Sequence, residues 1–275
     1  MNFVQKELEI IKKTLNPNTI QTLTNDFKVL GVKWADILLV HSSLSKLGWT
    51  VGGPVSVIDA LIGIIGKEGT IIMPSFSSGN TDPIGWQNPP VPKEWCSTIR
   101  QSMPAFHVDK TPTIAMGTIA ETFRKYPGVI RSNHPVSSFS AWGNYAEYIT
   151  KNHKLESDLG EESPLARIYE LDGKILLLGV THSSNTSIHL AEYRGEYKDK
   201  YYNPNGSSII VNGKRQWVQW EELNLITDDF EELGHEFEIK KGIISKKVGI
   251  ADARLFSQRD LVDFAVEWIR KNRPQ

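Results

Sequence analysis

A histidine and a glutamate three residues apart form the pair in this sequence best suited to acid–base chemistry. His189 and Glu192 lie in a segment predicted to be helical, and a spacing of three places both side chains on one face of a helix. A carboxylate beside an imidazole orients the ring and stabilises its protonated form, as a general base requires. Solvated surface pairs show the same spacing, so the pattern alone leaves both interpretations open.

Neither a metal site nor a cysteine nucleophile is indicated by the sequence. No residue near His189 has the spacing of zinc ligands, and Cys96 is the single cysteine, which excludes an intramolecular disulfide and a cysteine-based zinc site. No histidine or aspartate pattern accompanies Cys96. Nucleotide-binding glycine motifs and the nucleophile elbow of hydrolases are also absent from the sequence.

Two further segments are rich in hydrogen-bonding groups. Residues 41–54 contain three serines, Lys46 and several glycines between a predicted strand and a predicted helix. This position favours an anion or an extended ligand, although an ordinary glycine-rich connection has the same composition. Residues 131–135 contain His134, which we interpret as a structural hydrogen-bonding residue.

These segments are positioned by predicted strands and helices of an α/β fold. A strand at residues 37–40, a helix beginning at Pro54 and a strand at residues 70–73 form a βαβ unit and therefore a parallel strand pair. Residues 174–180 are almost purely aliphatic, which predicts a buried central strand. His189 follows that strand, where open α/β sheets place their binding sites.

The remaining chain predicts a long irregular segment and antiparallel additions. Periodicity is lost from residue 75 to about 112. A hairpin is predicted over residues 207–220, an acidic helix over 228–237 and a final helix from Ser257. The expected fold class is α/β, a mixed central sheet with a parallel βαβ core flanked by helices plus antiparallel C-terminal elements. Residues 1–275 are expected to form a single compact domain.

Charge and hydrophobicity exclude several classes of partner. The chain has 31 basic and 32 acidic residues, which argues against bulk nucleic-acid binding and against a polybasic membrane anchor. The longest apolar stretches are too short to span a bilayer, and the N-terminus lacks the apolar core of a signal peptide. We therefore expect a cytoplasmic protein without nucleic-acid or membrane partners; a homo-oligomer is left open.

Eight segments, in order along the chain, together resemble the aminoglycoside 3-N-acetyltransferase family, an antibiotic N-acetyltransferase family. They are residues 40–48, 52–54, 69–76, 88–92, 131–135, 138–143, 163–165 and 185–193. The resemblance implies use of acetyl-CoA without a metal and a fold distinct from that of the GNAT acetyltransferases. One departure is that Ile114 and Ala115 stand where the resemblance leads us to expect an arginine.

The resemblance implies direct attack of an aminoglycoside 3-amine on the acetyl-CoA thioester, which confers resistance. His189, oriented by Glu192, is the expected base. The resemblance leaves open another amino sugar or small amine as acceptor, or a non-catalytic ligand-binding relative. The expected coenzyme contacts are His41, Ser42, Ser43, Leu44, Ser45, Lys46, Gly48, Met73, Pro74, Ser75, Phe76, Met116 and Gly117. The expected contacts to the cationic substrate are the loop carboxylates Asp82, Glu161, Glu162 and Glu196.

Overall fold

A mixed seven-stranded sheet organises the fold in the computed structural model, which describes residues 3–273. A two-stranded hairpin forms a second, separate sheet. In order across the sheet, the strands are β3 (Ile130–Arg131), β4 (Phe139–Gly143), β2 (Thr70–Pro74), β1 (Ile37–Ser42), β5 (Lys174–Leu178), β9 (Ala251–Ser257) and β8 (Lys246–Val248); the hairpin is β6 (Tyr202–Val211) and β7 (Lys214–Leu223).

Within residues 3–273, helices cover both faces of this sheet. Hydroxyl side chains cap the N-termini of three of them: Thr19 accepts a hydrogen bond from the Thr22 backbone, Ser163 from the Leu165 backbone and Ser257 from the Asp260 backbone. The helices are α1 (Phe3–Lys13), α2 (Ile20–Leu30), α3 (Pro54–Ile65), α4 (Cys96–Ser102), α5 (Gly117–Phe123), α6 (Ala146–Thr150), α7 (Pro164–Glu170), α8 (Ser187–Arg194), α9 (Phe230–Lys241) and α10 (Gln258–Asn272).

The three inner strands β2, β1 and β5 are parallel and are aliphatic because helices bury both of their faces. Helices α2, α3 and α5 pack on one face against a cluster that includes Leu38 and Ile71. Helices α6 to α10 pack on the other face against a cluster that includes Leu39 and Ile175. The predicted fold class is confirmed: the βαβ unit is parallel, and β4 and β9 add antiparallel strands on either side.

The C-terminal elements extend beyond their predicted bounds. The predicted hairpin turns at Asn212-Gly213, where both residues adopt positive φ, and its paired strands are ten residues each. Strand β9 was not predicted from the sequence. Its short sequence of mixed residue types does not predict a strand, and its hydrogen bonds come from pairing with β5.

The irregular segment after β2 is anchored by Arg131, a partly buried side chain at the start of residues 131–135, which we call the Arg131 motif. Its guanidinium donates to the Thr111 carbonyl and to the Ser75 carbonyl, each at 2.6 Å. The same segment contains α4, which breaks the predicted absence of helix there. The Arg131 motif therefore organises the loop. No helix within residues 3–273 combines the length and apolar character needed to cross a membrane.

Candidate active site

A cleft of about 280 Å³ opens where the three parallel strands end. Its floor consists of residues 40–42 at the end of β1, Pro74 at the end of β2 and Val180 just after β5. The walls come from the beginning of α5, residues 183–186, and His189. This is the edge at which open α/β sheets bind ligands, because the strand ends leave backbone groups and loop side chains free to face a crevice.

The predicted histidine and glutamate meet at the wall of this cleft. His189 Nδ1 lies 2.6 Å from Glu192 Oε2, and both residues lie on α8. Glu192 is completely buried, whereas His189 lines the cleft with its ring against Phe230, at a centroid distance of 4.9 Å. Since Nδ1 faces the carboxylate, Nε2 is the ring nitrogen left to exchange a proton.

The second oxygen of the Glu192 carboxylate is also fully engaged. Oε1 accepts a hydrogen bond from the Ile226 backbone at 2.9 Å and one from Arg273 Nη1 at 2.6 Å. Arg273 in turn donates to both oxygens of Asp229, at 2.8 and 2.9 Å. Although burial acts in the opposite direction, hydrogen bonds to Asp229 and Glu192 raise the pKa of Arg273. These contacts orient the buried carboxylate and satisfy both of its oxygens.

His41 brings a second imidazole to the same cleft. It lies on β1 with its Nε2 3.5 Å from the Thr186 hydroxyl. Burial, with the neighbouring His189 and His182, lowers the pKa of His41 to about 3. The ring is therefore neutral at neutral pH and can offer a hydrogen bond without adding charge.

His182 does not line the cleft. Its Nε2 lies 3.0 Å from Glu238 Oε1, and its ring stacks on Phe256 at 5.6 Å. Burial lowers the pKa of His182 in spite of Glu238. These contacts turn the ring toward α9 and β9 and away from the cleft.

Four of the predicted coenzyme contacts line the cleft: His41, Ser42, Pro74 and Met116. Gly117 begins α5 and approaches the Ser42 carbonyl, to which a Cβ at this position would lie 3.7 Å away. Four more predicted contacts follow β1 directly. Ser43 comes first, and Leu44, Ser45 and Lys46 form a 3₁₀ turn after it.

The other predicted coenzyme contacts lie away from the cleft. Met73 is fully buried in the sheet core, Ser75 bonds Ser140 Oγ at 2.7 Å, and Phe76 packs edge-on against Phe139. Gly48 lies in the second half of the loop that follows β1. This part of the loop pairs with the connection between α1 and α2, where Asn18 N donates to the Trp49 carbonyl at 2.9 Å.

Two of the predicted substrate carboxylates are neutralised by arginines and lie outside the cleft. Asp82 is buried and accepts a bidentate pair of hydrogen bonds from Arg100, at 2.8 and 3.0 Å. Glu161 pairs with Arg194 Nε at 2.6 Å. A carboxylate with a local arginine partner has less charge to offer to a cationic ligand.

The other two predicted carboxylates are exposed. Glu162 lies in the loop before α7, and Glu196, 3.9 Å from Lys200 Nζ, follows α8. Among residues 3–273, no aspartate or glutamate lines the cleft itself. The structure therefore does not bring the predicted substrate contacts together with the histidine.

Sequence reasoning missed the cleft wall at residues 183–186 and the partners of Glu192. The sequence does contain a signal for this wall, because a run of polar residues directly follows the most aliphatic strand. No sequence signal indicates Arg273, because it lies 81 residues from Glu192 along the chain and only the fold brings the two residues together.

Comparison with known proteins gives a consistent family. The sequence model of a family described as aminoglycoside 3-N-acetyltransferase matches residues 39–270. The SPbeta prophage-derived aminoglycoside N(3')-acetyltransferase-like protein YokD of Bacillus subtilis (strain 168) is 49% identical over 265 residues, which cover 96% of this chain and 97% of YokD.

Two solved structures of ligand complexes share the fold. One is AAC-IIIb in a binary complex with CoASH, with a TM-score of 0.84, 28% identity, and coverage of 94% of this chain and 99% of the other. The second is AAC-VIa bound to sisomicin, with a TM-score of 0.85, 28% identity, and coverage of 94% and 100%.

Proposed function

Because the chain belongs to the aminoglycoside 3-N-acetyltransferase family of acyltransferases, we propose an acetyl transfer as its function. The acetyl group of acetyl-CoA would pass to the 3-amino group of an aminoglycoside. Residues 1–275 would act as a single acetyltransferase domain. The observation that carries the proposal is the imidazole of His189 at the cleft wall, 2.6 Å from the buried carboxylate of Glu192.

His189 acts as the general base in this proposal. An aminoglycoside amine is largely an ammonium at neutral pH and must lose a proton before it can form the new C–N bond. Nε2 takes that proton, and the Glu192 charge stabilises the imidazolium. That proton passes to the departing sulfur as the C–S bond breaks, and the free base then takes the second proton from the nitrogen, which is positively charged once the C–N bond has formed, and releases it to solvent. The products are the amide, free CoA and one proton, and the base is regenerated.

Acetyl-CoA would supply an activated acetyl thioester to this cleft. The residues fit such a group, because the cleft is lined by small and hydroxyl side chains, including Ser42, Ser184 and Thr186. Its volume of about 280 Å³ is at the lower end for ligand pockets, so it suits the acetyl end of the coenzyme. We propose that Ser43 to Lys46, which follow the cleft floor, contact the remainder; the AAC-IIIb complex with CoASH supports this use of the fold.

The proposed transfer is direct, without an acetyl-enzyme intermediate. Cys96, the one cysteine, is buried at the start of α4 and does not line the cleft. His189 has a carboxylate rather than a nucleophilic side chain as its partner. Sequential kinetics are therefore expected, and ping-pong kinetics would contradict direct transfer.

The proposed acceptor is a polycationic amino sugar. Support comes from the family and from the AAC-VIa complex with sisomicin. Glu162 and Glu196 are the better candidates among the predicted loop carboxylates, because Asp82 and Glu161 already pair with arginines.

Release of free CoA, followed spectrophotometrically against a panel of amines, tests this function. Aminoglycosides with a 3-amino group should release CoA, and the product should carry a single acetyl group at that nitrogen by NMR. An aminoglycoside that lacks the 3-amine is the matched control and should release none. Activity only on simple amino sugars or small amines would replace the proposed substrate. Binding of aminoglycoside by calorimetry without release of CoA would identify a non-catalytic relative.

A further inference from the structure

We propose that Arg273 is a positioning residue for the reaction: it fixes the carboxylate of Glu192 and sets the pH at which His189 takes up a proton. This inference rests on the proposed function, in which His189 is the base. It concerns a residue at the end of α10, far along the chain from α8, that contacts neither the cleft nor the imidazole.

The two oxygens of the Glu192 carboxylate face different partners, His189 on one side and Arg273 with the Ile226 backbone N–H on the other. Oε2 lies 2.6 Å from His189 Nδ1, and Oε1 lies 2.6 Å from Arg273 Nη1. The side chains of Glu192 and Arg273 are 0% and 5% exposed, so water does not screen the pair. A carboxylate with one oxygen fixed in this way cannot rotate away from the imidazole without losing a buried ion pair.

Arg273 is itself held from several directions. Both Asp229 oxygens accept from it in a fork arrangement, and the Ile226 carbonyl accepts from Nη2 at 3.0 Å. Its guanidinium lies over the Tyr197 ring, 5.1 Å from the centroid. These contacts join the end of α10 to the segments that follow α8 and precede α9. The position of the guanidinium is therefore set by the fold and passed on to Glu192.

The sign of the electrostatic effect follows from the charges around the imidazole. Glu192 favours the imidazolium form of His189, whereas the positive charge of Arg273 opposes a second positive charge nearby and neutralises part of the carboxylate. Asp229 offsets some of the Arg273 charge. Glu192 and His41 interact directly with His189. Arg273, Asp229 and Tyr197 lie behind Glu192, and His182 lies near His41, with Glu231 and Glu238 beyond His182.

Three substitutions separate this role from a merely structural one. Arg273→Gln removes the charge, so the acidic limb of the pH–rate profile should move to higher pH by about one unit. Arg273→Lys keeps the charge and should leave the limb close to that of the wild type while lowering the plateau rate. Asp229→Asn leaves the Arg273 charge less compensated and should move the limb to lower pH.

Arg270→Gln is the matched control, because Arg270 lies on the same helix, is 62% exposed and pairs with Glu267 at the surface. It should leave the pH–rate profile unchanged. A loss of stability alone would lower activity in Arg273→Gln at every pH without moving the limb, and that outcome would overturn the proposal. Asp229→Asn keeps the buried pair with Glu192, so it decides the question if Arg273→Gln does not fold: an unmoved limb again overturns it.

A titration that needs no substrate distinguishes failure of this inference from failure of the proposed function. Histidine-labelled protein is titrated by NMR, with the His189 signal assigned by its disappearance in His189→Ala. The midpoint should rise in Arg273→Gln and fall in Asp229→Asn. If these shifts occur in a protein that acetylates no amine, the positioning role stands and the proposed function fails. If acetylation occurs and the midpoints coincide, the inference fails and the proposed function stands.

Discussion

Two buried pairs of side chains in this protein contain histidine and differ in the partner of the ring: one is His189 with Glu192, and the other is His134 with His153. His189 faces the cleft and has the carboxylate of Glu192 at 2.6 Å. His134 and His153 lie against each other with ring centroids 4.6 Å apart, behind the loop that Arg131 holds. The His134 Nδ1 accepts from the backbones of Ser137 and Val136, at 2.8 and 3.2 Å.

Under the proposed function, the comparison separates a buried imidazole that is structural from one that can act as a base. Neutral partners keep His134 and His153 uncharged, and burial lowers the pKa of both. Glu192 provides a negative charge that an imidazolium needs, and the cleft gives His189 a route to an external proton. Burial alone is common to both pairs, so the carboxylate and the access decide the difference.

The largest expected effect follows removal of the imidazole in the cleft. His189→Ala should lower the rate of acetyl transfer by about 10²–10⁴-fold, the range for loss of a general base, while acetyl-CoA affinity stays nearly unchanged. Release of free CoA and calorimetry measure the two quantities. His107→Ala, a half-exposed histidine outside the cleft, is the control. A folded His189→Ala protein with more than about a third of wild-type activity would contradict the general-base role of His189.

The corresponding change in the other pair should affect stability instead. His134→Ala removes the acceptor for two backbone N–H groups and leaves a cavity, so the free energy of unfolding should fall by about 2–4 kcal/mol. The acetylation rate per folded molecule should change little. Urea unfolding and active-site-normalised rates measure these. A large loss of rate with unchanged stability would mean that the second pair also takes part in chemistry.

The second pair should also make stability depend on pH. The folded-state pKa is lowered for His134, His153, His182 and His41, so the unfolded chain binds more protons once the pH falls below about 6.5. Stability should be fully present above that pH and decrease below it, by up to about 1.4 kcal/mol per pH unit for each histidine. Urea unfolding between neutral and mildly acidic pH measures the slope. His153→Gln should reduce the slope of stability against pH, and an unchanged slope would show that the buried histidines are not its source.

The smallest expected effect concerns charges outside both pairs. Glu196→Gln should raise the KM for a polycationic aminoglycoside by less than about fivefold, because an exposed charge contributes no more than about 1 kcal/mol. Glu161→Gln should have a smaller effect, since Arg194 already neutralises that carboxylate. Steady-state kinetics at low ionic strength measure both. A rise in KM of more than about tenfold for Glu196→Gln would mean that this carboxylate contacts the substrate directly.

Local pattern was enough to predict the core of the fold and the contact between His189 and Glu192. The aliphatic runs of β1, β2 and β5 record burial on both faces, and Pro54 marks the start of α3. The spacing of His189 and Glu192 specifies one face of α8, since three residues nearly complete a helical turn. These predictions succeeded because each depends on neighbours in sequence.

Features that depend on distant partners were not predictable in this way. Strand β9 gains its hydrogen bonds from β5, and Arg273 gains its role from Glu192. Gly48 lies away from the cleft because Asn18 holds the second half of its loop, and Asp82 is occupied by an arginine 18 residues away. None of these pairings leaves a periodic or local signal.

The pH–rate profiles of the wild type and Glu192→Gln, measured side by side, test most directly whether the ion-paired imidazole of His189 is the base. The amide keeps the shape of the side chain but removes the charge that favours the imidazolium, and Arg273 keeps Asp229 as its partner. The proton should therefore leave the ring at lower pH, and the acidic limb should move to lower pH with a reduced plateau rate. An acidic limb at the same pH and a near-normal rate would mean that the pair is structural and that the base lies elsewhere.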